Sequence, residues 1–129
     1  MSDKAAQRDV MLIAADLDER RLLFGELLEA GYDVTPIPEF ERALGDVLQH
    51  LVEPRLILID VGDDEKLTPH AVDYLLKAAP AVPVIVLVGT INRAEWETMT
   101  PRLAALLRRP ITIGAIVETV KGVLPIPEH

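Results

Sequence analysis

Several stretches of this chain are apolar at consecutive positions: Val10–Ala15, Leu56–Ile59 and Val84–Val88. Strands that hide both faces are the mark of a parallel sheet covered by helices on each side. The first two runs each deliver an aspartate at their end, Asp16 and Asp60. In open sheets of this kind ligands bind beyond the carboxyl ends of the strands, where the strand order reverses. Two acids brought to that edge suit a small cation or a phosphoryl group.

Helical patterns separate the apolar runs. Asp18 is placed to cap a helix from Glu19 to about Ala30, and Gly31 to stop it. Tyr32–Ile37 reads as a short strand whose Pro36 suits an edge. Phe40, Ala43, Leu44, Val47, Leu48 and Leu51 share one face of a second helix. Leu56–Asp60 is the third strand, followed by a loop over Gly62–Leu67. Thr68-Pro69 opens a third helix as cap and first residue. After the fourth strand, Val84–Val88, Asn92 and Glu95 resemble a capping box at the start of a short, weakly patterned helix. Leu103–Leu107 is the expected fifth strand, and Thr112 caps a last helix facing inward through Ile113, Ile116, Val117, Val120 and Leu124. Strand-helix alternation with short connections predicts one doubly wound α/β domain. It spans residues 1–129, with a core from about 9 to 124 and a frayed tail at 125–129.

Composition narrows the function. The net charge of −8 argues against nucleic acid, whose phosphates must be met by Lys and Arg. With no cysteine there is no disulfide framework, thiol nucleophile or thiolate metal site. No apolar run approaches the roughly 20 residues that span a bilayer. The start of the chain, Met1-Ser2-Asp3-Lys4, lacks the form of a signal peptide. A soluble, cytoplasmic protein without a membrane or nucleic-acid partner is expected.

Four local matches in order resemble the CheY-like receiver domains of bacterial two-component response regulators. Leu27-Leu28-Glu29-Ala30-Gly31-Tyr32-Asp33-Val34 looks like the family's first helix running into its second strand. Pro54-Arg55-Leu56-Ile57-Leu58-Ile59-Asp60 looks like the segment ending in the phosphoacceptor. Val82-Pro83-Val84-Ile85-Val86-Leu87 looks like the fourth strand, and Arg109-Pro110-Ile111 like the Lys-Pro-Phe step after the fifth. The resemblance implies a flavodoxin-like three-layer sandwich with parallel strand order 2-1-3-4-5.

It also implies a phosphoryl site in which Asp60 is the acceptor. Asp16, Asp60 and the carbonyl of Gly62 would be the Mg²⁺ ligands. The site departs from the family pattern. Ala15 stands where the pair of acids has its first member, and Val88 where the family has Thr or Ser, with Thr90 two residues on. Arg109 replaces the lysine, a rigid fork for a compact ammonium. Leu106 replaces an aromatic, and the loop Val61-Gly62-Asp63-Asp64-Glu65 lacks the usual Pro-Gly turn. Weak Mg²⁺ binding at best is expected, and no other cofactor. Arg109 is expected to pair with Asp60 or Asp16, and Asp63, Asp64 and Glu65 to form a solvated loop.

The expected function is that of an atypical, non-enzymatic receiver in phosphorelay signalling, working through contact with a histidine kinase or another signalling protein. Trp96 is expected to be partly exposed, anchoring a homodimer or partner contact on the face of the fourth helix, fifth strand and fifth helix. One rival is a working receiver phosphorylated on Asp60. The other is a flavodoxin-like nucleotide or flavin binder, although the chain has no Gly-rich phosphate loop and no nucleophile-base pair.

Overall fold

The computed structural model describes residues 6–62 and 66–126. The acids expected to form a solvated loop, Asp63, Asp64 and Glu65, lie outside the described residues. So do the start of the chain and the end of the tail.

Five strands alternate with five helices. They are β1 (Ala6–Ala14), α1 (Leu17–Ala30), β2 (Val34–Ile37), α2 (Phe40–Leu48), β3 (Val52–Gly62), α3 (Pro69–Ala78), β4 (Val84–Val88), α4 (Arg93–Glu97), β5 (Ala105–Arg108) and α5 (Ile113–Val123). All neighbouring strands are parallel, in the order β2-β1-β3-β4-β5. This is the doubly wound sheet expected from the apolar runs.

Alternate residues of each strand feed two separate cores. Leu12, Leu56, Leu58 and Ile85 pack with Leu23 and Leu27 of α1 and Ile116 and Val120 of α5. Ile13, Ile57, Ile59 and Val86 pack with Val47 of α2, Leu75 of α3 and Trp96 of α4. The period of two along a strand sends successive side chains to opposite faces. A strand covered on both faces must therefore be apolar at every position, as β4 is. A hydrogen bond from the Tyr32 hydroxyl to the Leu124 carbonyl joins the start of the second strand segment to the end of α5.

Several element ends differ from the sequence-based expectation. Both β1 and β3 start earlier than their apolar runs, because Ala6 already pairs with Val52. Pro54 is tolerated inside β3 because β4 joins only at Ile57, leaving β1 as the one neighbour there. Strand β5 begins at Ala105 rather than Leu103, whose amide donates to the Thr100 carbonyl in the 3-10 turn Thr100–Arg102. Helix α1 is capped by Asp16, not Asp18: the Asp16 side chain accepts from the Glu19 amide at 2.9 Å. Thr68 and Thr112 cap as expected. Asn92 does not; its left-handed backbone, φ 58°, leaves its side chain without a capping bond.

The expected exposure of Trp96 is overturned. Trp96 is 2% exposed and Met99 5%. Both sit in the core cluster containing Val86, Val88 and Leu106. The five-residue helix is held by a non-local apolar seat rather than by its own pattern. Replacing Trp96 by Ala should therefore cost about 3–5 kcal/mol of stability, as for other buried large-to-small changes. Urea unfolding checks this; an unchanged midpoint with weakened self-association would restore the surface role.

Candidate functional site

Asp60 is the one charged side chain buried among the described residues, 8% exposed. It lies near the end of β3, where the ladder to β4 slips: Asp60 pairs with Leu87 but Gly62 with Val88. A slip of this kind interrupts the ladder locally and re-aims the side chains beside it. Gly62 meets it with φ 54°, a backbone conformation that glycine adopts without strain.

Arg109 follows β5 directly, and its amide donates to the Val88 carbonyl at 3.0 Å. The Arg109–Pro110 peptide is cis. The guanidinium turns inward, and one Nη2 donates both to Asp60 Oδ2 at 2.8 Å and to Glu19 Oε2 at 3.2 Å. The expected pairing of Arg109 with a strand-end acid is present, with Asp60. Asp60 Oδ1 is buried and makes no hydrogen bond of ordinary geometry.

A cavity of about 370 Å³ opens here, lined by Asp16, Glu19, Asp60, Gly62, Gly89, Thr90 and Arg109. Asp16 thus reaches the same cavity as Asp60 while also capping α1. Val88 does not line it. It is fully buried in the core cluster beside Trp96 and Leu106, so its position brings no hydroxyl to the site. Thr90 supplies one at the rim.

Two further arginines brace the surrounding loops through backbone carbonyls. Arg20 donates to Ala14 at 2.8 Å and Ala15 at 3.3 Å. Arg93 donates to Gly89 from both Nε, at 3.2 Å, and Nη2, at 3.1 Å, and to the Arg109 carbonyl at 2.8 Å. Neither brace was read from the sequence, nor was Glu19 read as a partner of Arg109. The spacing Asp16-x-x-Glu19, once Asp16 is taken as the cap, puts Glu19 in the first helical turn and was the signal available.

The Asp60 carboxyl titrates above the ordinary carboxylate value, first because burial disfavours its charge. The Arg109 guanidinium opposes that shift, by charge and by hydrogen bond, while Glu19 adds to it. The Gly62 amide also lowers the value, with least weight. The like charge felt by Asp60 is therefore Glu19 rather than Asp16.

No protein-family model and no curated protein matches this sequence. Solved structures do. The receiver domain of NtrX from Brucella abortus superposes with a TM-score of 0.76 at 20% identity, over 92% of this chain and 100% of that one. A response regulator receiver domain protein from Clostridium thermocellum gives 0.73 at 18% identity, over 92% and 94%. A response regulator receiver protein from Burkholderia phymatum gives 0.72 at 22% identity, over 93% and 97%. The fold is the receiver fold. In that frame Asp60 stands at the end of the third strand and Arg109 just past the fifth, on one rim of the sheet.

The folded state holds the Asp60 proton more tightly than the unfolded chain does. Below the ordinary carboxylate pKa both states are protonated and the buried group costs nothing. As pH rises through the raised folded midpoint, that stability is lost. Asp60→Asn keeps an oxygen for Arg109 and removes the charge. It should therefore stabilise the fold at pH 7, by about 1.4 kcal/mol per pH unit of elevation. The gain should vanish below the ordinary carboxylate range. Thermal unfolding of both proteins across pH checks this; a variant less stable than wild type at pH 7 would contradict it.

Proposed function

We propose that this chain is a non-enzymatic, receiver-type module of two-component signalling, cytoplasmic, with its acceptor pocket closed by its own arginine. The observation that carries this reading is the Asp60 carboxylate itself. Oδ2 is engaged by Arg109 at 2.8 Å and Oδ1 is buried. Neither oxygen is free to attack a phosphorus atom, and phosphoryl transfer depends above all on positioning.

The donors around Asp60 do not fit a resident Mg²⁺, which demands near-octahedral oxygen ligation. Asp16 is engaged as a helix cap, Ala15 offers no carboxylate, and Glu19 faces the guanidinium. Among the described residues no cluster of three acids or histidines is arranged for a metal. A cation is nevertheless present in the pocket as Arg109, which offsets the charge of Asp60 and Glu19. Such a module signals through protein contact, with a histidine kinase or another signalling protein as its partner. A contact on the α4, β5 and α5 side would draw on exposed charges such as Glu97, Arg102 and Arg108 rather than on Trp96.

One feature favours a second reading, a working receiver phosphorylated on Asp60. Thr90 lines the cavity and brings a hydroxyl that Val88 does not. Acetyl phosphate labelling with Mg²⁺, followed by intact mass, separates the two. The closed pocket predicts no stoichiometric adduct in the wild-type protein. The combined variant Ala15→Asp, Arg109→Lys, which restores an acid and opens the pocket while leaving Thr90 at the rim, should gain Mg²⁺-dependent labelling. Full labelling of the wild type, lost in Asp60→Asn, would instead establish the working receiver.

A further inference from the structure

Arg93 is the first residue of α4, and its side chain leaves the helix to grip two loops at once. Its Nη2 spans the Gly89 carbonyl, at 3.1 Å, and the Arg109 carbonyl, at 2.8 Å. Gly89 lies beside Thr90 at the cavity, and Arg109 is the residue whose guanidinium holds Asp60. One turn along α4 from Arg93 is Trp96, buried in the core cluster with Val86 and Val88 of β4 and Leu106 of β5. An unbroken physical path therefore joins Asp60 to the core of α4. It runs through the Arg109 side chain, the Arg109 backbone and the Arg93 guanidinium.

We propose that Arg93 is a positioning residue that couples the state of the Asp60 pocket to the seating of helix α4. The fork of a guanidinium suits this task, because it can hold two acceptors in fixed directions where an ammonium acts as a point charge. One other polar link reaches α4 from β5, the exposed Arg108–Glu97 pair at 2.8 Å, and Arg108 does not line the pocket. Val88 and Leu106 are apolar and buried in the core cluster, so no side-chain hydrogen bond runs through them. Apart from its Arg93 grip and the exposed Glu97–Arg108 pair, α4 is held chiefly by the apolar seat of Trp96. Releasing Arg109 from Asp60 would free its backbone to move, and Arg93 would carry that movement into α4. Coupling of this kind is reciprocal: whatever grips α4 from outside also biases how tightly Arg109 closes the pocket.

The role of Arg93 presupposes the closed pocket, but its signature needs no phosphoryl group. Trp96 is the only tryptophan in the chain, so its fluorescence and indole N–H resonance report on α4 alone. The pocket is perturbed by Arg109→Gln, which removes the charged contact to Asp60. In the Arg93 background this should shift the Trp96 emission and indole resonance. In the Arg93→Met background, which keeps the apolar stem and loses the donors, the same substitution should leave both signals unmoved. This double-substitution cycle isolates the coupling from the separate effects of each change. Should Arg93→Met fail to fold, Arg93→Lys serves, since one ammonium does not span both carbonyls in the fork geometry; the response should then be diminished. A Trp96 response that survives undiminished without the Arg93 fork overturns the proposal. So does a Trp96 signal that ignores Arg109→Gln when Arg93 is present. Acetyl phosphate labelling of the wild-type protein would overturn the closed-pocket reading alone and leave this cycle as the judge of the coupling.

Discussion

Each central strand of this sheet is covered on both faces, so a polar side chain survives only where a strand runs out. That constraint organises the molecule. Leu56 and Leu58 enter one core while Ile57 and Ile59 enter the other, and Asp60 is the first residue past that apolar run with access to anything polar. The slip in the β3–β4 ladder after Asp60 is where regular pairing gives way to a cavity. A carboxylate buried to this degree needs a partner, because a charge held in low dielectric without one is costly. Arg109 supplies it from the neighbouring rim position, and the site takes its character from that pair.

Much of the fold was legible because its signals are local. Unbroken apolar runs, Thr68-Pro69 and Thr112 as helix starts, and Gly31 as a helix stop each follow from chemistry within a few residues. The strand order and the meeting of Arg109 with Asp60 were legible through family resemblance. What escaped was decided by distant partners. Trp96 sits on a helix too short to show a pattern, and its burial comes from β4 and β5, which no periodicity around residue 96 reports. Strand β3 runs past its apolar stretch in the N-terminal direction because β1 is there to pair with it. Glu19 was read as an ordinary helix start; its meeting with Arg109, ninety positions away, needs the fold to be closed first.

The electrostatics of the pocket are unusual in what the arginines do. Of the three arginines around the pocket, Arg20 and Arg93 give their donors to main-chain carbonyls, and Arg109 uses its charge directly on an acid. Backbone carbonyls at strand ends are obligatory acceptors that the sheet no longer satisfies. Arginines that cap them stiffen the loops which shape the cavity. The sharing of one Arg109 nitrogen between Asp60 and Glu19 leaves the acids in competition for a single cation, and Asp60 Oδ1 with no hydrogen bond of ordinary geometry.

The direction of the strands has a consequence for how the domain can be joined to other things. All five run the same way, and the acid pocket sits where they end. Strand β1 starts at the opposite rim, at Ala6. Helix α5 returns to that same rim, where the Tyr32 hydroxyl meets the Leu124 carbonyl and Ile126 lies against Gly31. The described chain thus enters and leaves on one side and keeps its polar cavity on the other. Anything that meets the Asp60 rim therefore approaches from the side away from Ala6 and Ile126.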